Sequence, residues 1–207
     1  MEKAGSTNEV AKELLDEETD DFVVLAERQT AGKGRKDRSW ESPPGNLYFS
    51  LCTEKEDLLP LKASVAVAKT LDGLDMEPEL KWPNDVLVEE RKICGILTEI
   101  AYERGIVGIG LNVRSAPLSD SICIYDINRN EYSLDKLMKD IISNFYGIED
   151  LLNTYKNYSS TIGERVKIRT QNGQIEGTVE DIDERGRLVL ESGEKFVSGD
   201  VTHLRKG

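Results

Sequence analysis

The amino-acid sequence predicts an α+β fold, a mixed β-sheet flanked by helices and followed by a small β-barrel. Three observations carry this. Apolar residues recur with helical spacing in three separate stretches, and strand-like runs separate them. After about Ser160 the texture changes to short alternating runs broken by glycine turns. The length of 207 residues leaves room for one medium domain and a small second one, so the expected division is 1–158 and 162–207.

The elements follow in chain order. Ser6-Thr7-Asn8-Glu9 has the order of a capping box, in which a cap Ser and a Glu three residues on satisfy each other's amides. Val10, Ala11, Leu14 and Leu15 supply the apolar stripe of the helix that follows. Phe22–Ala26 and Leu47–Leu51 read as strands. Residues 28–45 between them show neither period, and a loop that long inside a compact domain demands a functional explanation. Leu58, Leu61, Val65, Ala68 and Leu71 mark a second helix, with Pro60 tolerable in its first turn. Asp85–Glu89, Ile93–Ile100 and Ile106–Val113 read as consecutive strands, with turns at Glu90-Arg91 and Glu103-Arg104-Gly105. Leu134 to Tyr155 carries one or two amphipathic helices interrupted around Gly147. The expected barrel strands are Val166–Arg169, Ile175–Ile182, Leu188–Leu190, Phe196-Val197 and Val201–Leu204, turned at Asn172-Gly173, Arg185-Gly186 and Ser192-Gly193.

Composition narrows the function. The 27 basic and 39 acidic side chains give a formal charge of −12, which repels polyanions and argues against nucleic acid as a partner. No apolar run approaches the ~18 residues of a membrane span, and the polar start from Met1 to Gly5 does not read as a signal peptide. A cytoplasmic location with no membrane contact is therefore expected. Cys52, Cys94 and Cys123 lack metal spacing and read as ordinary thiols. The single histidine, His203, excludes a multi-histidine metal site and reads as a surface or barrel-edge residue.

Three stretches hold chemistry. Gln29 to Trp40 places Lys33, Arg35, Lys36 and Arg38 within six positions of an otherwise anionic chain, with Gly32 and Gly34 among them. Glycines allow backbone amides to approach an anion, yet a solvated basic turn has the same composition. Lys81-Trp82-Pro83-Asn84-Asp85, with Lys92 seven residues on, joins groups that bind phosphate, hydrogen-bond a ligand and hold a divalent cation. A turn before a strand accounts for it equally well. Gly108-Ile109-Gly110-Leu111-Asn112 admits either a tightly packed core strand or a surface for a flat ring.

Taken together, Ser6-Thr7-Asn8, Gln29 with Ala31-Gly32-Lys33-Gly34-Arg35 and Trp40, Lys81 to Asp85, Lys92 to Gly95, and Gly110-Leu111-Asn112 resemble the biotin–protein ligases over nearly the whole chain. The resemblance implies a class II synthetase-like catalytic fold with an SH3-like carboxyl-terminal barrel. It implies biotin and ATP as substrates, Mg²⁺, a biotinyl-5′-AMP intermediate, and transfer to a lysine of a biotin carboxyl carrier protein domain. Ser6, Thr7, Asn8, Gln29, Gly32 and Gly34 match positions around the biotin ring, and Lys33, Arg35 and Lys92 those around its carboxylate and the α-phosphate. Arg35 and Lys92 are thereby implied as catalytic. Trp40 matches the ring that covers adenine and Asn112 the amide that reads its edge. Arg38, Lys81, Asn84 and Asp85 would face the phosphates and magnesium, Asp85 as metal ligand.

Two departures stand out. Lys33 replaces the family's usual Arg, and an ammonium cannot reproduce a bidentate fork. The chain also begins almost at Ser6, without most of the strand that commonly precedes it and without the amino-terminal DNA-binding domain of larger members. Other readings are a lipoate–protein ligase-like enzyme and a non-catalytic sensor of biotin or nucleotide. The sequence is silent between a monomer and a homodimer.

Overall fold

The computed structural model describes residues 1–15, 20–170 and 173–204. Helix α1 (Thr7–Leu14) leads to β1 (Phe22–Ala26) and β2 (Leu47–Glu54), then to α2 (Leu59–Asp72). Four strands follow: β3 (Pro78–Lys81), β4 (Asp85–Val88), β5 (Arg91–Ala101) and β6 (Arg104–Leu111). Helices α3 (Ile124–Asn128), α4 (Leu134–Tyr146) and α5 (Leu151–Tyr158) close this part. The chain ends with β7 (Arg165–Thr170), β8 (Gly173–Ile182), β9 (Leu188–Leu190), β10 (Lys195–Phe196) and β11 (Asp200–His203). Among the described residues no helix is long and apolar enough to cross a membrane.

The first six strands form one sheet in the order β1-β2-β6-β5-β4-β3, and every pairing is antiparallel. The α+β class stands, but the sheet is not mixed. Two-residue turns make part of this order: Glu89-Glu90 and Tyr102-Glu103, with φ between +48° and +59°, return β5 antiparallel to β4 and β6 antiparallel to β5. They also sit one position before the polar breaks expected from sequence, so Arg91, Arg104 and Gly105 belong to strands. The strand β3 and helix α3 were not expected.

Because side chains alternate across a strand, the sheet presents two different faces. Phe49, Leu51, Val107 and Ile109 point into the main core with Leu59, Val65, Ala68 and Leu71 of α2 and Ile141 and Phe145 of α4. Val24, Cys52 and Ile106 point the other way and meet Ala11 and Leu15 beside α1. Pro60 lies in the first turn of α2, and the break between α4 and α5 falls at Gly147 as expected. Ser133 and Asp150 cap these two helices, accepting from the amides of Lys136 and Asn153.

The expected capping box at α1 does not form. Ser6 occupies the cap position without a side-chain cap bond, the Thr7 amide donates to Gln29 Oε1 at 2.9 Å, and Glu9 is taken by Lys12 and Lys33. The sheet edge beyond β1 is partly covered: Ala4 pairs in parallel with Gln29, and the Met1 ammonium donates to Leu25 O at 2.9 Å.

The carboxyl-terminal strands form an antiparallel sheet in the order β10-β9-β8-β7-β11. Among the described residues no pairing joins β10 to β11, so the five strands of the expected barrel are present without strand pairing that closes it. Val197, expected in β10, is 78% exposed beyond the strand's end. Asn172 of the Asn172-Gly173 turn lies outside the described residues. His203 is on the edge strand β11, as expected. The buried Val166, Ile168, Val179 and Leu190 continue the main core, and Trp82 links the two sheets by donating to Gly186 O at 3.0 Å.

Candidate active site

The face of the sheet toward α1 contains a trough. Gly95 and Gly110 are register partners on β5 and β6, and Gly108 lies two residues further along on the same face. With no side chains there, other groups lie directly on the backbone. A Cβ on Gly110 would be 2.6 Å from Trp40 Cε2, one on Gly95 2.8 Å from Trp40 Cζ3, and one on Gly108 3.0 Å from Asn8 Cγ. The strand is buried and tightly packed, in line with one of its two readings, and the ring lying on its glycines is the protein's own, the indole of Trp40.

Above the trough is a cavity of about 410 Å³. It is lined by Ser6, Thr7, Asn8, Gln29, Lys33, Gly34, Arg35, Arg38, Trp40, Lys81, Asn84, Asp85, Lys92 and Asn112, so all but one of the site residues expected from sequence meet in one place. The exception is Gly32. It packs beneath the loop, where its carbonyl accepts the Trp40 amide at 2.8 Å and a Cβ would press on Ser42 Oγ.

One wall is the start of α1. Ser6, Thr7 and Asn8 are buried, and Ser50 Oγ lies 2.8 Å from Thr7 Oγ1 and 2.6 Å from Asn8 Oδ1. Thr7 Oγ1 donates to Gln29 Oε1, and Gln29 Nε2 donates to Ser42 Oγ at 2.9 Å. Asn8 Nδ2 donates to Glu99 Oε2 at 2.8 Å, and Glu99 pairs with Lys12 at 2.7 Å. These fixed polar groups leave the wall neutral where it faces the cavity.

The opposite wall is cationic. Residues 33–39 form a small hairpin with a Lys33–Ser39 bridge and a left-handed turn at Lys36 and Asp37. The loop that lacked any period in sequence is therefore ordered by side chains from elsewhere. Arg35 donates to Asn84 Oδ1 at 2.8 Å and to Gly199 O at 3.5 Å. Burial lowers its pKa from the usual guanidinium value, opposed by the charges of Asp200 and Asp85. Lys36 and Arg38 both reach Asp200, at 3.0 and 2.5 Å. Burial favours the protonated acid at Asp200, but these two cations outweigh it and hold its pKa below the ordinary carboxylate value. Lys33 pairs with Glu9 at 2.8 Å on the exposed side of the loop.

Lys92 completes the site. Its ammonium lies 2.6 Å from Asp85 Oδ1 and 5.2 Å from the centroid of the Trp40 ring. Asn84 Nδ2 donates to Ile96 O, which fixes its oxygen toward Arg35. Asn112 is buried, donates to Ile122 O at 3.2 Å, and keeps Oδ1 without a partner, as does Trp40 its Nε1. Unpaired buried polar atoms of two residues that line one cavity are costly unless a ligand meets them. The arrangement suits an anion flanked by a neutral polar head on one side and a flat, hydrogen-bonding ring on the other.

Sequence reasoning missed Ser42, Ser50, Glu99 and Asp200. Ser50, Glu99 and Asp200 meet the site through contacts with chain far away in sequence, and Ser42, though inside the loop of residues 28–45, carries no chemical signal of its own. The three cysteines are free and buried, and burial drives the Cys94 thiol pKa far upward.

Comparison with known proteins places the chain among relatives. Residues 2–113 match the biotin/lipoate A/B protein ligase family, and residues 161–204 match the biotin protein ligase C-terminal domain. The chain is 35% identical to biotin–[acetyl-CoA-carboxylase] ligase of Mycobacterium tuberculosis, over 98% of this chain and 87% of that protein. It is 31% identical to the bifunctional ligase/repressor BirA of Bacillus subtilis, over 95% of this chain and 70% of that protein. Among solved structures, the biotin protein ligase of Aquifex aeolicus in complex with biotin and ATP superposes with a TM-score of 0.85, at 28% identity over 100% of this chain and 97% of that one. A matching family model over more than half the sequence and a relative 35% identical over 98% of this chain lead to one statement: the chain belongs to the biotin–protein ligase family.

Proposed function

We infer that the protein joins biotin to a lysine of a biotin carboxyl carrier protein in two steps. The biotin carboxylate attacks the α-phosphorus of ATP, forming biotinyl-5′-AMP and releasing pyrophosphate. The carrier's amine then attacks the acyl carbon, forming the amide and releasing AMP and a proton. The observation that carries this reading is the meeting of Arg35 and Lys92, 57 residues apart in sequence, on one glycine-floored cavity that also holds a neutral polar wall and unpaired ring-reading groups.

The proposed roles follow from charge and shape. Ser6, Thr7, Asn8 and Gln29, with Gly34 and the underlying Gly32, surround the neutral head of biotin. Its polar atoms need partners, since each buried group left unpaired costs about 1–3 kcal/mol. Arg35, Lys92 and Lys33 face the carboxylate and the α-phosphate, two anions that must be brought together. Preorganised cations stabilise the charge that accumulates there in the transition state. Trp40 covers adenine and Asn112 Oδ1 accepts from its amino edge. Arg38, Lys81 and Asn84 face the remaining phosphates.

Magnesium is assigned to the nucleotide rather than to a resident site. Among the described residues no group of three ligating side chains could hold a metal, and one carboxylate, Asp85, beside the phosphates fits a cation that keeps phosphate and water as its other ligands. When bound it would neutralise phosphate charge. Asp85 would then exchange its ammonium partner for the cation.

Residues 1–158 are proposed as the catalytic unit and 162–207 as a supporting one, joined through Asp200 and Trp82, with the whole working in the cytoplasm. Incubation with ATP and either biotin or lipoate, with pyrophosphate followed, tests the substrate. Release with biotin alone is expected; release with lipoate but not biotin overturns the reading. Adenylate formation with no transfer to a carrier would make the protein a sensor.

A further inference from the structure

Asn46 is the last residue before β2 and is 1% exposed. Its Oδ1 accepts from three successive backbone amides, Val113 at 2.9 Å, Arg114 at 2.9 Å and Ser115 at 3.1 Å. Its Nδ2 donates to Ser115 O at 2.9 Å and lies 3.4 Å from Ser115 Oγ. Residues 113–115 have just left strand β6, which ends at Leu111, so their amides have no neighbouring strand to pair with. One amide side chain takes the place of that strand. Gly45, with φ of +94°, brings the preceding backbone against the Arg114 side chain, where a Cβ would come within 3.3 Å.

The segment clamped in this way runs on to Ser121, where it is tied a second time. Lys92 N donates to Asp120 O at 3.1 Å, and Ile122 N donates to Lys92 O at 3.0 Å. Between the two ties, Pro117, Leu118, Asp120 and Ser121 line the cavity. Leu118, at the middle of the segment, is half exposed and is held by Ser121 Oγ, which donates to Leu118 O at 2.7 Å. Val113 O also accepts from the Tyr125 amide at 2.9 Å and Arg114 pairs with Glu131 at 2.9 Å, but the amides of residues 113–115 are held by Asn46, whose side chain is not among those lining the cavity, and the far end of the segment by Lys92, which the reaction already uses.

We propose that Asn46 is a positioning residue for the nucleotide half of the site, holding residues 113–121 as a rim beside Asn112. This rests on the reading of the cavity as a biotin and ATP site. Removing the side chain strands three amides at once, and the rim loses the anchor next to the group that reads adenine. Biotin is held by α1, Gln29, Arg35 and Lys92, none of which touches Asn46, so the effect should fall on ATP.

The test is steady-state pyrophosphate release by the full chain, with ATP and biotin varied separately, for the parent, Asn46→Ala, Asn46→Asp and Asn46→Ser. Asn46→Ala is expected to raise the KM for ATP about tenfold, the size of one or two lost buried hydrogen bonds, with the KM for biotin within about twofold. Asn46→Asp keeps an oxygen that accepts all three amides and should recover most of the ATP KM. Asn46→Ser has a shorter arm, should fall between them, and serves if Asn46→Ala does not yield folded protein. A purely structural role would lower the active fraction and leave both KM values alone, or raise both alike, and either result overturns the proposal. Amide hydrogen exchange of ligand-free protein reads the clamp independently of catalysis. Loss of protection at Val113, Arg114 and Ser115 is expected in Asn46→Ala, with protection largely kept in Asn46→Asp, and unchanged protection in Asn46→Ala overturns it. If the parent releases no pyrophosphate from biotin and ATP, the functional reading has failed, whereas the exchange result still decides whether Asn46 clamps the rim.

Discussion

The glycine trough makes a steric prediction that can be sized from the structure. In Gly110→Ala, the added methyl would sit 2.6 Å from Trp40 Cε2 and 3.1 Å from Cζ2, and would also press on Nε1. Carbon atoms prefer separations of about 3.5–4.0 Å, so the indole must lift by about 1 Å or tilt away. The strand itself has no reason to object, because Gly110 is not among the residues with positive φ. Overfilling a packed site costs about 1–3 kcal/mol, which at 1.4 kcal/mol per factor of ten is a rise of about 5- to 150-fold in the ATP requirement. Trp40→Ala should show a similar rise from lost stacking, about 1–3 kcal/mol. If both act through one ring, the two effects should not add in the double variant. The assay is pyrophosphate release at saturating biotin with ATP varied, together with tryptophan fluorescence. Gly73→Ala, where the nearest atoms are at an ordinary 3.5 Å and φ is −65°, is the control. An unchanged ATP requirement with unchanged fluorescence in Gly110→Ala would refute the trough as a ring-bearing floor.

Three further outcomes are expected. Lys92→Ala removes both a cation from the cavity and the partner of Asp85 at 2.6 Å, and adenylate formation should be lost at ordinary biotin concentrations; normal turnover would remove Lys92 from the site. Arg35→Gly cuts the link from the basic hairpin to Asn84 and Gly199, so the adenylate should escape and label lysines of unrelated proteins, and strict carrier specificity in that variant would contradict the role. His203 should titrate below the ordinary 6.5, first because burial disfavours its charged form and second because Lys81 lies near it. A depressed folded pKa means this contribution to stability is complete above about pH 6.5 and is lost as pH falls from there toward the folded pKa. As the only histidine, it gives a single imidazole NMR titration, and a midpoint at or above 6.5 would refute the assignment.

Much of the fold was legible because its signals were local. Strand β1 is found at the residues that sheet-favouring side chains mark, and the break at Gly147 is where the helical period fails. Strand β3 escaped because Pro78-Glu79-Leu80-Lys81 is four residues long with one apolar inward position of any size, and α3 because five residues cannot show a helical period. Antiparallel order was hidden in turns whose residues, Glu89-Glu90 and Tyr102-Glu103, are not the usual Asn-Gly types. Ser6 to Glu9 carried a cap signature, but Ser50 draws Thr7 and Asn8 into the pocket wall and Lys12 and Lys33 take Glu9 at the surface. The chemical segments were visible through unusual local composition. Asp200 and Asn46 were not, since each matters only through contacts with chain 69 to 164 residues away, which no local pattern encodes.

The claim that one cavity brings a vitamin's acid group and a nucleotide's phosphate together for delivery to a carrier is tested most directly by label transfer. Purified protein is mixed with radiolabelled biotin, ATP, Mg²⁺ and a biotin carboxyl carrier domain, and the carrier is counted. Label should appear on the carrier lysine only when ATP is present, and should disappear with Lys92→Ala. Label without ATP, or a carrier left blank while the folded protein binds both ligands, would contradict it.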